Sequence, residues 1–208
     1  RVLAVKIDDS NMAHPQIGVE DAEIVYIQQV EGGLTRLAAI FSTIIPQRIG
    51  PVRSARISDI NILSQYGRVA FAYSGAQSKL LPVISAANLQ DLGAQRQSPT
   101  IYTTDPSRNQ PYAMVLRADL LMQKILDNNL QVDIAKGVGF VFGELQEGGT
   151  PTQKVDVSWP AATYSAQWSE EESRWLLSHN KKLNLADSGV VLGATTFVIQ
   201  MVSITPSE

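Results

Sequence analysis

Two arginines stand three residues apart in residues 50–56 (GPVRSAR), a turn between a strand-like segment and a helical pattern. If Arg53 and Arg56 lie on the first helical turn, their guanidinium groups share one side and could clamp a carboxylate or phosphate. Free backbone N–H groups at that turn would strengthen the site, in which we include Ser54. The alternative is that the arginines only fasten a loop through ion pairs, with Glu31, Asp59 or Asp105 as partners.

A second candidate is the connection at residues 31–36 (EGGLTR), which joins two strand-like segments. Its paired glycines permit a tight connection, so Glu31 and Arg36 would lie near each other at one sheet end and could aim an acid and a base at one cleft. The alternative, equally supported by the sequence, is that the glycines serve only the turn and that Arg36 neutralises Glu31.

Adjacent carboxylates, Asp8 and Asp9, end the first strand-like segment. Such a pair can bind a divalent cation or act as acid and base. Neighbouring strand residues point to opposite faces, however, so the pattern favours the start of a solvated loop.

Ser74 precedes a glycine in a strand-to-helix turn, as a nucleophilic serine does. The Gly-x-Ser-x-Gly pattern is missing, and neither His14 nor His179 is obviously available to activate the hydroxyl. We therefore expect Ser74 to cap a helix or to hydrogen-bond a ligand.

Asp105 and Arg108 lie in residues 90–114, the longest stretch without clear periodicity, and long loops in compact domains are often functional. Asp105 either caps the following turn or meets the Arg53 and Arg56 pair across a cleft. Tyr102 and Tyr112, which flank it, wall a ligand pocket or pack in the core.

The composition excludes several classes of site. A net charge of −3 and a pI near 5.4 argue against a nucleic-acid-binding surface. The absence of cysteine excludes disulfides, thiolate catalysis and Cys-ligated zinc, and two histidines are too few for a His-rich metal site, so we predict no metal and no cofactor. No apolar run approaches the roughly 20 residues of a spanning helix.

The periodicity predicts an α+β fold with a central mixed β-sheet flanked by helices, followed by a β-rich C-terminal extension or small second domain. Residues 1–130 would form the first unit and 131–208 the second. The chain begins at Arg1 without a methionine and ends soon after a strand-like run, so we expect further sequence on both sides. The predicted strands are 2–7, 24–29, 35–41, 69–73, 154–159, 163–168, 174–178 and 195–202, and the predicted helices are 57–64, 78–87 and 116–128.

Five segments in a fixed order resemble the YerB-like family of bacterial lipoproteins: AVKID at 4–8, AEIVY at 22–26, VEGGLTR at 30–36, IGPVRSAR at 49–56 and DPSR at 105–108. The resemblance covers residues 1–128, and the β-rich remainder looks like the start of that family's smaller C-terminal domain. It implies an extracytoplasmic location in the bacterial envelope, at the cell membrane or wall, usually through an N-terminal lipid anchor. It also implies a domain of unknown biochemical function.

The chain departs from the family's pattern at three places. Residues 27–29 (IQQ) replace acidic residues after the tyrosine of the second strand, residues 111–113 (PYA) replace a Pro-His-Asn motif, and Tyr73 replaces a histidine. These departures remove the best candidate general bases, whereas the arginines are retained.

We therefore predict binding rather than catalysis, with an anionic envelope ligand or a protein partner as the target, no nucleic acid, and membrane attachment only through a lipid anchor. Arg36, Arg53, Arg56 and Arg108 would supply charge, Glu31 and Asp105 would orient them, and Ser54 and Ser74 would donate hydrogen bonds. The alternative is a phosphotransferase or hydrolase acting on a phosphodiester, pyrophosphate or glycosidic cell-wall substrate, with Glu31 or Asp8 as base. A third possibility is an interaction module that pairs through an exposed strand edge at 195–202.

Overall fold

The computed structural model describes residues 1–144 and 148–205, so residues 145–147 and 206–208 of the predicted C-terminal unit lie outside the described residues. It confirms the predicted α+β class. The strands are β1 (Leu3–Asp8), β2 (Ile24–Gln29), β3 (Thr35–Phe41), β4 (Arg48–Ile49), β5 (Val69–Ala72), β6 (Leu89–Asp91), β7 (Tyr102–Thr104), β8 (Met114–Arg117), β9 (Lys154–Trp159), β10 (Ala162–Ser169), β11 (Arg174–His179), β12 (Lys182–Leu183) and β13 (Gly193–Ala194). The α-helices are α1 (Ile57–Ser64), α2 (Leu81–Ala86) and α3 (Ala118–Asp127). In the described ranges, no helix has the length and apolar character needed to cross a bilayer.

The central sheet has the strand order β2-β3-β1-β5-β6. Strand β1 pairs antiparallel with β3 and parallel with β5, and β5 pairs parallel with β6. Every residue of β1 is buried, as expected for a nearly continuous apolar run covered on both faces. The carboxyl ends of β1, β2, β5 and β6 consequently meet at one edge of the sheet, together with the start of β3.

Alternation along β1 divides the core into two layers. Leu3, Val5 and Ile7 pack on the side of α3, where Leu121 and Ile125 are buried. The other face, which carries Val2 and Ala4, packs against α1 and α2 through Leu63 and Ile84. Lys6 and Asp8 belong by alternation to this second face, and Asp9 to the first.

A smaller sheet, β4-β8-β7, adjoins the central one and corrects the prediction for residues 116–128. Leu116 pairs with Tyr102 and Ile49 in this sheet, and α3 begins only at Ala118. The apolar spacing that predicted a longer helix arises because a buried strand residue is followed directly by an amphipathic helix.

The C-terminal sheet has the order β12-β11-β10-β9, with β13 also paired to β11. The prediction of a strand at 195–202 is wrong, because only Gly193–Ala194 pairs with β11 and the following residues carry no ladder. Several apolar side chains of that run, including Val198, Met201 and Val202, are exposed instead. The expected strand edge for partner pairing is therefore missing from the described residues.

The turn between β2 and β3 contacts the C-terminal sheet. The Gly33 carbonyl accepts a hydrogen bond from the Ala161 N–H at 3.1 Å, in the turn between β9 and β10. Gly33 has φ +71°, and a Cβ atom there would lie 2.5 Å from Pro160 Cβ. This close approach requires glycine, so the sequence EGGLTR serves packing as well as the turn.

Candidate functional site

Residues 50–56 insert between the carboxyl ends of β1 and β5. The Arg53 N–H donates to the Lys6 carbonyl at 2.8 Å, and the Ser74 N–H donates to the Arg53 carbonyl at 3.0 Å. The predicted placement of both arginines on the first turn of a helix is wrong. Arg56 precedes α1 with an extended backbone, and Arg53 pairs with the end of β1. The arginines meet because extended chain crosses the sheet edge, not because of helical spacing.

Polar side chains from β1, β2, β3 and α1 surround this segment, and we call the group the arginine cluster. Its members are Lys6, Asp8, Gln28, Glu31, Arg36, Arg53, Ser54, Arg56, Asp59 and Ser74. Six of the eight predicted site residues are among them, and Asp105 and Arg108 are not. The loops that follow parallel strands at a shared edge are a common place for ligand sites.

Most N–H donors of the Arg56 side chain are engaged by other groups of the protein. Its Nε and Nη2 atoms both donate to Glu31 Oε2, at 2.9 and 2.6 Å. Its Nη1 atom donates to the carbonyls of Ala55 and Ser54, at 2.9 and 3.3 Å. Hydrogen bonding from Arg56 lowers the pKa of Glu31, so this carboxylate remains charged and committed to the arginine. The pair holds the β2–β3 turn against the start of α1.

Arg36 extends from β3 into the same group but has no acidic partner. Its Nη1 atom donates to the Ser54 carbonyl at 3.1 Å, and no carboxylate in residues 1–144 or 148–205 lies within ion-pair distance of it. Burial, followed by the positive charges of Arg56 and Arg53, lowers the pKa of Arg36 to about 10. Its charged form is therefore maintained at a cost in free energy that a bound anion would reduce.

Arg53 stands between a carboxylate and an aromatic ring. Its Nε atom lies 2.7 Å from Asp8 Oδ2, in an orientation that leaves the N–H without a hydrogen bond in the described residues. The guanidinium carbon lies 6.0 Å from the centre of the Tyr112 ring. This distance is the outer limit of a cation–π contact, so the attraction between Tyr112 and the guanidinium group is weak. Among the described residues, no hydrogen bond engages the Arg53 guanidinium.

Beneath the arginines lies a buried ion pair that the sequence analysis did not include in the site. Lys6 Nζ is 2.6 Å from Asp59 Oδ1 and 3.0 Å from Gln28 Oε1. Burial lowers the pKa of Lys6, and the Asp59 carboxylate opposes that shift. Asp59 Oδ2 also accepts the Arg56 N–H at 2.7 Å, which caps α1. The sequence feature that could have revealed the pair is Lys6, the one charged residue in the otherwise apolar run 2–7.

The cluster carries one more positive than negative charge. Its cations are Lys6, Arg36, Arg53 and Arg56, and its carboxylates are Asp8, Glu31 and Asp59. Ser54 Oγ and Ser74 Oγ lie 3.5 Å apart in the same region and add hydroxyl donors. This arrangement matches a small anion with several oxygen atoms better than a cation or an apolar ligand.

Asp8 and Asp9 do not start a solvated loop, and that expectation was wrong. Asp8 is 4% and Asp9 1% exposed. Asp8 accepts hydrogen bonds from the Ser10 N–H and hydroxyl, at 2.8 and 2.6 Å, and pairs with Arg53. The alternation of strand residues sends Asp9 to the opposite face, where it meets a different set of side chains.

Asp105 and Arg108 lie away from the arginine cluster. Asp105 Oδ1 accepts the N–H and hydroxyl of Ser107 at 2.9 and 2.7 Å, which is the capping arrangement that was one of its two predicted roles. Its other oxygen lies 3.4 Å from Arg108 Nε and 3.7 Å from Arg48 Nη2. Arg108 donates to the carbonyls of Ala13 and Pro15 and fastens that loop.

A cleft of about 350 Å³ lies beside the cluster. Tyr112, which faces Arg53, forms part of its wall, whereas Tyr102 is buried and donates to the Leu92 carbonyl. The cleft residues are Met12, His14, Pro15, Ser107, Arg108, Asn109, Tyr112 and Asp187. The two predicted groups of site residues are thus neighbours across Tyr112 and not one constellation.

Comparison with known proteins gives a family and a fold. The model of a family described as "Protein of unknown function (DUF3048) N-terminal domain" matches residues 1–131. A protein of Bacillus subtilis (strain 168) named "Putative lipoprotein YerB" is 45% identical over 56 residues, which are 27% of this chain and 17% of that protein. The crystal structure of the YerB protein from Bacillus subtilis has the same fold, with a TM-score of 0.79 and 18% identity. That match covers 93% of this chain and 66% of the YerB chain, so the chain spans less than two thirds of either relative.

Proposed function

The chain belongs to the DUF3048 N-terminal domain family, as its YerB-like segments predicted, and on this premise we propose that it binds an anionic ligand of the bacterial envelope through the arginine cluster. The location is inferred from the lipoprotein name of the similar Bacillus protein. The ligand class is inferred from the chemistry of the cluster. Phosphate or carboxylate groups of a cell-wall precursor or polymer have the charge and the acceptor oxygens that guanidinium groups recognise.

The observation that carries the proposal is the state of Arg36. A half-buried guanidinium normally has a carboxylate partner, whereas the effects of burial, Arg56 and Arg53 on Arg36 outweigh the attraction of Asp8 and Glu31. Within residues 1–144 and 148–205, Arg36 and Arg53 both retain N–H groups without a hydrogen-bond partner, while Arg56 is held by Glu31. An anion bound between Arg36 and Arg53 would satisfy these donors and offset their mutual repulsion.

The alternative, a transferase or hydrolase acting on a cell-wall substrate, requires a free base. Glu31 has a lowered pKa and is bound by Arg56, and Asp8 is bound by Ser10 and Arg53. The lowered pKa makes Glu31 a weak proton acceptor, and the contacts with Ser10 and Arg53 occupy the Asp8 carboxylate. The contacts therefore support binding better than catalysis.

The test measures anion binding by calorimetry at low ionic strength, with inorganic pyrophosphate, a short glycerol-phosphate oligomer and citrate as separate probes. Replacing Arg36 by glutamine should weaken binding of the preferred probe about 10- to 100-fold, the expected loss for a charge-assisted contact. Lys182→Gln is the matched control, because Lys182 is exposed on β12 and its loss changes the net charge equally.

Three outcomes decide between the possibilities. Selective loss in the Arg36 variant supports the site, and the preferred probe distinguishes phosphate from carboxylate ligands. Equal loss in both variants would show that the probes respond only to overall charge. Absence of binding by all probes, with the folded state verified by circular dichroism, would leave a protein partner as the target and contradict the anion proposal.

A further inference from the structure

A second polar cluster lies on the opposite side of β1 from the arginines. It contains Asp9, which follows β1, His14 in the next loop, and His179 at the end of β11. One ligating atom from each of these three side chains lies within 4.8 Å of the other two. Asp9 and His179 are both buried. Residues more than 160 positions apart are thus brought together where the central and C-terminal sheets meet.

The orientation of His14 leaves a lone pair facing a carboxylate. His14 Nδ1 lies 3.0 Å from Asn184 Oδ1, and the Asn184 side chain also hydrogen-bonds the Tyr164 hydroxyl. An amide oxygen only accepts, so Nδ1 carries the proton and the Nε2 of a neutral ring is an acceptor. That Nε2 lies 3.3 Å from Asp9 Oδ1. Two acceptors at this distance repel each other, and either a proton on Nε2 or a metal ion between the two atoms would remove that repulsion.

His179 supplies an independent sign of an incomplete site. The residue is 6% exposed, and its Nε2 atom has no hydrogen-bond partner among the described residues. An unsatisfied buried nitrogen of this kind is uncommon in folded proteins and calls for a partner such as an ion. Its ring lies against the His14 ring, with centroids 4.3 Å apart.

The carboxylate of Asp9 is held in place by neutral donors. The Tyr164 hydroxyl donates to Oδ1 and the Thr35 hydroxyl to Oδ2, each at 2.6 Å, and the Gln16 amide donates to Oδ1 at 3.1 Å. Hydrogen bonds of this type orient the ligands of metal sites, as does the Asn184 contact with His14. Asp9 and His14 are therefore held in place by neighbouring hydrogen bonds, as the ligands of metal sites are.

We propose that Asp9, His14 and His179 bind a divalent transition-metal ion, with zinc as the ion that best matches the donors. Two imidazole nitrogens and one carboxylate oxygen are ordinary zinc ligands. Donors about 2.0–2.1 Å from a tetrahedral ion are about 3.3 Å apart, the separation that His14 Nε2 and Asp9 Oδ1 already have. The His179 ring is stacked on the His14 ring at an interplanar angle of 18°, so it must turn for its nitrogen to point at the same ion. His14 also lines the cleft, which gives the ion a path from solvent.

The position of the site gives the ion a structural consequence. Asp9 and His14 belong to the part of the chain that carries the central sheet, and His179 belongs to the C-terminal sheet. A bound ion would join the two, and metal binding of this kind adds directly to folding stability. The prediction of no metal site rested on the small number of histidines. That number does not reveal that a buried carboxylate lies beside them in the fold.

The test uses the whole chain without an affinity tag, stripped with a chelator and then titrated with ZnCl₂ by calorimetry. One equivalent of zinc should bind and raise the Tm, and Co²⁺ should give the visible absorption of a low-coordinate site. His179→Gln and Asp9→Asn should each weaken zinc binding by about 100-fold or more, and Asn184→Ala by about 10- to 100-fold. Asp187→Asn is the control, because it removes an exposed carboxylate of the same cleft.

A measurement on the unchanged protein keeps the test decisive if a variant does not fold. The chain has only two histidines, so both sets of imidazole resonances should shift together with one equivalent of zinc in nuclear magnetic resonance spectra. The proposal is overturned if neither ring responds, if zinc does not bind, or if folded variants bind zinc as the control does.

Discussion

Lys6 Nζ lies 2.6 Å from Asp59 Oδ1, and both side chains are fully buried. Removing one member of such a pair leaves the other charge buried and uncompensated, which costs about 3–5 kcal/mol. We therefore expect Lys6→Met to lower the free energy of unfolding by that amount, measured by urea denaturation at pH 7.

The matched control for this prediction is the double variant Lys6→Met/Asp59→Asn. Asparagine removes the orphaned charge while its carbonyl oxygen can still accept the Arg56 N–H that Asp59 accepts at 2.7 Å. The double variant should be more stable than Lys6→Met alone. Additive losses from the two single changes would show that the pair is not energetically coupled.

The central strands could be predicted because their patterns are local. Residues 24–29 and 35–41 agree with β2 and β3, and β1 is shifted by one residue. The predicted helix began too early, at Leu116. The apolar residues of β8 and α3 continue one helical spacing across the junction of the two elements, so the sequence pattern does not show where the strand ends. The run at 195–202 has strand composition, but a strand also needs a neighbour with free ladder positions.

The site was only partly predictable for the same reason. Glu31, Arg36 and Arg56 were identified from turns, where the chain itself brings polar residues to a sheet end. The pair of Glu31 with Arg56 is one of the alternatives that the sequence left open, whereas the other, in which Arg36 neutralises Glu31, is not the one formed. Contacts such as that between Lys6 and Asp59 join distant segments, and only the tertiary fold reveals them.

Gly32 and Gly33 offer a matched pair for testing the contact between the two sheets. Both have positive φ, at +68° and +71°, so alanine at either position costs about 1 kcal/mol in backbone strain. Only at Gly33 would the new Cβ meet Pro160, at 2.5 Å. We expect Gly33→Ala to lower the free energy of unfolding by about 1–3 kcal/mol more than Gly32→Ala. Equal losses in thermal denaturation would contradict close packing at this turn.

Glu31 should contribute to the acid sensitivity of the fold. Hydrogen bonding from Arg56 lowers the pKa of Glu31 from its ordinary value of 4.5. A lowered pKa means that the stabilisation is complete above the unfolded value and is lost as pH falls through the folded value. Because Glu31 is 59% exposed, the whole effect should stay below about 1 kcal/mol. Glu31→Gln should therefore flatten the decline in urea midpoint from pH 5 to pH 3, and an unchanged decline would mean that the pair contributes nothing.

Arg36 and Arg56 should respond to substitution in opposite ways. Arg56 donates to Glu31 and to two carbonyls, so Arg56→Gln should lower the free energy of unfolding by about 1–2 kcal/mol. Arg36 makes one carbonyl contact, and its burial and the charges of Arg56 and Arg53 outweigh the attraction of the nearby carboxylates, so Arg36→Gln should leave stability unchanged or raise it slightly. Anion binding should show the reverse order, with the larger loss for Arg36→Gln, because binding sites commonly retain charges that are unfavourable in the free protein. Urea denaturation and calorimetry on the same two preparations measure both quantities. A parallel loss of stability and binding in both variants would mean that the arginines serve the fold alone.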